Sequence, residues 1–158
     1  MNISLVEKPS FDVIGKVGQG YAKDSMEWVP PLWKAANENF HEIAHLAKKD
    51  SLGNLAGFWG AMSDIQDNFE RWDEQGKYMA GCEVESDAVA PDGWKKWVIP
   101  SYKFIVAKCT QEYSEVFSYV LNEYVPENHY QIVGAIHEYY CPQDKNGELS
   151  LYFPIEKL

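Results

Sequence analysis

Apolar and polar positions change period several times along the chain, and each change predicts an element. Residues 2–17 read as extended, Ile3-Ser4-Leu5-Val6 and then Phe11-Asp12-Val13-Ile14-Gly15-Lys16-Val17, divided by Pro9-Ser10 and ended by Gly18-Gln19-Gly20. A polar loop reaches Glu27, and Pro30-Pro31 suit a helix start. Trp33, Ala36, Phe40, Ile43 and Ala47 then fall at three- and four-residue steps, the stripe of an amphipathic helix with Lys48-Lys49 at its end. Leu55 to Met62 predicts a strand, Asp64 to Gly76 a long polar connection, and Tyr78 to Glu85 a strand with Tyr78, Ala80, Cys82 and Val84 on one face.

The second half repeats the order. Asp87 to Gly93, with Pro91-Asp92-Gly93, marks a boundary between two halves, about 1–86 and about 94–158. A strand follows from Trp94 or Trp97 to Cys109. Thr110 can cap a helix whose stripe is Tyr113, Val116, Phe117, Val120, Leu121 and Tyr124, and Pro126 stops it. Gln131 to Cys141 predicts a strand; Asp144-Lys145-Asn146-Gly147 then turns the chain into a last strand, Glu148 to Ile155. Strand, helix, strand, strand therefore occurs twice. Pro9-Ser10-Phe11-Asp12-Val13-Ile14 aligns in kind with Pro100-Ser101-Tyr102-Lys103-Phe104-Ile105 at five of six positions. Two such units form an α+β fold, an antiparallel sheet with two main helices, and a seam between duplicated units is a place for a pocket.

One residue breaks the pattern. Ile132, Gly134, Ile136, Glu138 and Tyr140 share a strand face, and Glu138 is a carboxylate in an otherwise apolar row. Burying it unpaired would cost several kcal/mol, a large part of a domain's stability. Either that face is wet, or Glu138 meets a cation from outside the protein.

Composition narrows the choice. Net charge is −10, which repels nucleic acid phosphates. No run approaches the ~18 apolar residues of a membrane span, and no basic-then-apolar signal segment opens the chain. Three cysteines without CxxC or zinc-ribbon spacing suit reduced thiols in a cytoplasm. Aromatic residues reach 15 %, and rings with carboxylates suit a pocket for organic cations, although an acidic surface over an aromatic core has the same composition.

His41-Glu42-Ile43-Ala44-His45 matches the HExxH pattern of zinc peptidases. At ~100° per residue its two histidines project away from the apolar stripe toward the charged flank, and no third ligand is identifiable, so a solvated helix face is expected and no metal or other cofactor. Nucleophile elbows, phosphate loops and dinucleotide fingerprints are missing.

The order and spacing of several short motifs resemble the GyrI-like effector-binding family, most closely its integron-cassette-type members. They are Glu7-Lys8-Pro9-Ser10-Phe11, Pro31-Leu32-Trp33, Tyr78-Met79-Ala80-Gly81-Cys82-Glu83-Val84, Ile99-Pro100, Glu138-Tyr139-Tyr140 and Pro154-Ile155. The resemblance covers nearly the whole chain, 1–158 as a single effector-binding domain. It implies a pocket on a pseudo-twofold axis that takes bulky lipophilic cations, with an acidic residue on the penultimate strand two positions before a Tyr. Glu138 and Tyr140 match those positions, and Trp33, Trp59, Phe104, Tyr102 and Ile136 are the remaining candidates for the pocket. His137 stands where the family has an aromatic or apolar residue, and Phe104 where it often has Tyr. No helix-turn-helix precedes the domain in this sequence, so regulatory output would require a partner protein. Small-molecule binding in drug sensing is the first reading. Hydrolysis of strained electrophilic natural products with Glu138 as base is the second, and modulation of a topoisomerase is the third.

Overall fold

The computed structural model describes residues 2–158. Eight strands form one antiparallel sheet: β1 (Asn2–Lys8), β2 (Phe11–Tyr21), β3 (Phe58–Ser63), β4 (Gln75–Val84), β5 (Lys95–Ile99), β6 (Tyr102–Lys108), β7 (His137–Tyr140) and β8 (Leu149–Lys157). Their order across the sheet is β1-β6-β8-β7-β3-β4-β2-β5. Helix α1 (Ser25–Glu38) follows β2, and α2 (Tyr113–Tyr119) follows β6.

Two links of two residues each give the sheet its curvature. β1 and β2 stand six places apart in the sheet, a separation of about 29 Å if the sheet were flat. Only Pro9-Ser10 joins them, and so short a link spans roughly 10 Å. Pro100-Ser101 imposes the same limit on β5 and β6, and the Ser10 N–H donates to Ser101 Oγ at 2.8 Å where the two crossings meet. The sheet must therefore curl until its outer strands approach. Its helix-free face closes on itself around Phe11, Val13, Trp59, Ala61, Met79 and Ile99, all buried. The single strand expected from Trp94 or Trp97 to Cys109 is consequently two, because the chain leaves β5 at one edge of the sheet and re-enters six places away as β6.

The other face carries the helices. Ile14, Tyr78, Ala80, Cys82 and Val84 pack under α1, and Ile105, Ala107, Leu151 and Phe153 under α2. Gly18 and Gly20 do not end β2 as expected: the space a Cβ would need at each is filled by Leu32 and Trp28 of α1. Helix α1 begins at Ser25, so Pro30 and Pro31 lie inside it, and it ends at Glu38. The stripe continues through two short 3-10 turns, Phe40–Glu42 and Ala44–Leu46, which keep Ile43 and Ala47 buried without a continuous helix. α2 starts at Tyr113 instead of at a Thr110 cap, widens into a π turn at Val120–Tyr124 and closes at Val125–Glu127. The wider turn precedes Pro126, whose ring and missing N–H forbid the regular bond.

Candidate functional site

β7 is shorter than the apolar run that announced it. Residues 131–136 leave the sheet, and the His137 imidazole takes over from the ladder: Met62 N–H donates to its Nδ1 at 3.1 Å. His137 faces the curled core, fully buried. Loss of solvation pushes its pKa down to about 3, so it stays neutral, and its Nε2 has no partner.

The next residue points the other way. Register pairs Glu138 with Gly60 of β3 and Leu151 of β8, which puts it on the helix face between the two helices. A methyl group at Gly60 would collide with the Tyr78 hydroxyl and the Glu138 carboxylate, so the bare backbone of β3 makes room for both. Tyr78 donates its hydroxyl to Glu138 Oε1 at 2.5 Å, Tyr113 donates to Oε2 at 2.8 Å, and Tyr140 reaches Oε1 at 3.4 Å. Trp33 donates its indole N–H to the Tyr78 oxygen at 2.9 Å, leaving that hydroxyl's proton for Glu138. Burial raises the carboxyl's pKa above the ordinary glutamate value, opposed by the three phenol hydrogen bonds. The same burial and the nearby carboxylate push Tyr78, Tyr113 and Tyr140 well up, so all three are proton donors.

Above Glu138 lies a cavity of about 690 Å³ between the starts of the two helices. Met26, Val29 and Pro30 of α1 form one wall and Phe117 of α2 another, with Met62, Trp72 and Leu149 completing the apolar lining. Polar groups beyond Glu138 and its tyrosines are Ser25, Glu112, Ser114 and Ser118. Among the described residues no lysine, arginine or histidine forms an ion pair with Glu138. A negative group held by neutral donors at the bottom of an apolar cavity is chemically suited to an organic cation.

The structure gathers only part of the expected set. Glu138 and Tyr140 line the cavity, and Trp33 stands behind them, edge-on to Tyr140 at 5.2 Å. Trp59, Phe104 and Tyr102 do not: alternation puts them on the helix-free face, where Tyr102 stacks edge-on against Phe104 and Phe104 against Tyr152. Trp59 gives its indole N–H to Glu83 there at 2.9 Å. Ile136 packs under α2 and faces a smaller side pocket. Tyr78, Tyr113, Phe117 and Trp72 were not foreseen as site residues. Tyr78 carried a legible signal, a hydroxyl in the otherwise apolar row of β4 that required a buried partner.

The HExxH residues do not share a helix face. His41 and His45 fall on separate 3-10 turns and are exposed, and Glu42 accepts the Trp94 indole N–H at 2.8 Å. No cluster of three or more metal-binding side chains occurs among the described residues, and no helix there is long and apolar enough to cross a membrane.

Comparison with known proteins agrees with this architecture. The family model for integron-associated effector-binding proteins matches residues 4–155. The transcriptional regulator BrlR of Pseudomonas aeruginosa is 28 % identical over 170 residues, covering 98 % of this chain and 56 % of BrlR, so the chain spans about half the length of that relative. The structure of SAV2435 bound to tetraphenylphosphonium aligns with a TM-score of 0.71 at 14 % identity, covering 99 % of this chain and 94 % of that one. The integron cassette protein VCH_CASS2 from the mobile metagenome of Vibrio cholerae aligns at 0.61 and 16 % identity, covering 98 % and 95 %. At these identities the two structures establish the fold, α+β with two helices on an eight-stranded antiparallel sheet.

Proposed function

Because the chain belongs to the family of integron-associated effector-binding proteins, we propose that its effector is a lipophilic organic cation bound in the cavity over Glu138. The single observation that carries this reading is the carboxylate itself, set in an apolar cavity and answered by three phenols and, among the described residues, by no cation. A volume of about 690 Å³ suits a polycyclic or triaryl cation. The rings of Tyr78, Tyr113, Tyr140, Phe117 and Trp72 offer π faces and edges, and a desolvated cation–π contact is worth about 2 kcal/mol, so a few such contacts with Glu138 suffice for micromolar binding. BrlR, a regulator, and the tetraphenylphosphonium complex of SAV2435 support the same reading, with drug sensing as its biological sense. The reading treats the chain as one domain of two units, 1–86 and 94–158, meeting where β3 pairs with β7 beside the cavity.

Calorimetric titration of wild type and Glu138→Gln with tetraphenylphosphonium and with neutral triphenylphosphine oxide tests this. The substitution should weaken the cation by roughly 10- to 100-fold, the worth of a charge-assisted contact, and leave the neutral compound within about twofold. Equal losses for both compounds would refute the counter-charge role.

A further inference from the structure

The chain has one arginine, Arg71, in a protein of net charge −10. It is exposed and joins no ion pair among the described residues, although Glu70 and Asp73 are its near neighbours in sequence. It lines a side pocket of about 120 Å³, and three of that pocket's other residues, Met62, Trp72 and Phe117, also line the main cavity. The two spaces therefore adjoin one another along three shared apolar residues, with a carboxylate lining one and a guanidinium lining the other.

Arg71 is held there by an ordered loop. The Asp64 carboxylate accepts the backbone N–H groups of Gln66, Asn68 and Glu70 at 3.3, 2.9 and 3.1 Å, and these bonds hold its pKa below the ordinary aspartate value despite some burial. Phe69 accepts the Ala135 N–H at 2.7 Å, tying the loop to the segment before β7. Trp72 stacks on Trp28 with ring centroids 5.4 Å apart and donates to the Lys77 carbonyl at 3.0 Å. Arg71 thus sits between two fixed points.

We propose that the side pocket is an anion subsite, and that the ligands favoured by this protein are zwitterionic aromatic compounds, with the cationic centre at Glu138 and a carboxylate at Arg71. The proposal rests on the cation reading of the main cavity and adds to it. A space of about 120 Å³ is that of a few waters or one carboxylate on a short arm. The planar guanidinium fork matches a carboxylate in a way that lysine does not. The protein's overall charge disfavours any anionic substituent, so a preference for one requires a local device.

Two rhodamines sharing one ring system distinguish the readings: rhodamine 110, with a free carboxylate, and rhodamine 123, its methyl ester. Fluorescence anisotropy at pH 7.5 should show wild type binding rhodamine 110 about tenfold more tightly than rhodamine 123. Arg71→Gln should remove that preference by weakening rhodamine 110 alone, Arg71→Lys should restore part of it, and Glu138→Gln should weaken both dyes. Arg71 is exposed, so its variants should keep the wild-type thermal midpoint. A wild-type preference for the ester, or an Arg71→Gln variant that shifts both dyes equally, would overturn the subsite while leaving the main-cavity reading intact. If Glu138→Gln changed neither dye, both readings would fall.

Discussion

Glu83 and Glu138 are strand carboxylates on opposite faces of the sheet, and their surroundings differ in how the charge is answered. Glu83 of β4 sits on the curled, helix-free face, where Trp59 donates to it at 2.9 Å and the ammonium groups of Lys8 and Lys48 lie at 3.6 and 3.9 Å. Lys8 also covers the rings of Phe11 and Trp59, at 4.4 and 5.6 Å from their centroids. Glu138 of β7 sits on the helix face with three tyrosine hydroxyls, a cavity and, among the described residues, no cation. Each carboxylate accepts hydrogen bonds from aromatic residues, but only Glu83 has its charge balanced by the protein. The comparison shows what separates a structural acid from a binding acid. Hydrogen bonds satisfy the oxygens in both cases, and the missing counter-ion leaves a place for a guest in one.

The largest effect expected from breaking this comparison is at Glu83. Glu83→Ala strands a buried indole N–H and the Lys8 ammonium, and should lower unfolding stability by about 3–5 kcal/mol in a denaturant titration. Glu138→Gln should not destabilise the protein comparably, because no charge among the described residues loses its partner. Similar losses at the two positions would show that Glu138 is as structural as Glu83.

Gly60→Ala sharpens the comparison from the backbone side. Its methyl must displace the Tyr78 hydroxyl and the Glu138 carboxylate, which should cost about 1–3 kcal/mol in stability and abolish selectivity between cationic and neutral ligands. Unchanged selectivity in the titration pair above would mean that the tyrosine cage does not position the carboxylate.

The smallest effect is in pH dependence, where neighbouring residues of β7 pull in opposite directions. Glu138 has a folded pKa raised above its unfolded value, so the native state binds more protons than the unfolded state in the window just above the ordinary glutamate range. Its contribution to stability is thus present below the unfolded pKa and lost as pH rises through the raised one. His137 has a folded pKa of about 3, below its unfolded value, so stability is lost as pH falls from the usual histidine range toward 3, by at most about 1.4 kcal/mol per pH unit. Thermal midpoints of wild type, Glu138→Gln and His137→Asn from pH 4 to 8 should show the glutamine variant gaining on wild type as pH rises and the asparagine variant gaining as pH falls. Parallel curves would remove both assignments.

Much of this was legible in the chain. The two helices each followed by two strands, the stripe of Val116, Phe117, Val120 and Leu121, and the misfit of Glu138 among apolar neighbours all follow from local periodicity, and the structure bears out the α+β fold they imply, although two strands precede each helix where one was expected. Trp59, Phe104 and Tyr102 were misplaced because aromatic character says a ring is buried and not on which face. The face follows from register, and Gly60 rather than Trp59 turns out to be the residue opposite Glu138. Tyr113 read as an ordinary helix-stripe residue, since nothing local distinguishes a core phenol from one aimed at a carboxylate on a strand 25 positions away.

The sequence by itself determined where the two helices and most of the strands fall and the presence of a charge that needed an answer, because these depend on neighbours a few residues apart. Tertiary structure alone decided where the cavity lies and what surrounds that charge. The position of β1 and β6 six places from the strands they are linked to, the pairing of β3 with β7 and the approach of Tyr78 and Tyr113 to Glu138 depend on residues distant in the chain, which no local pattern encodes.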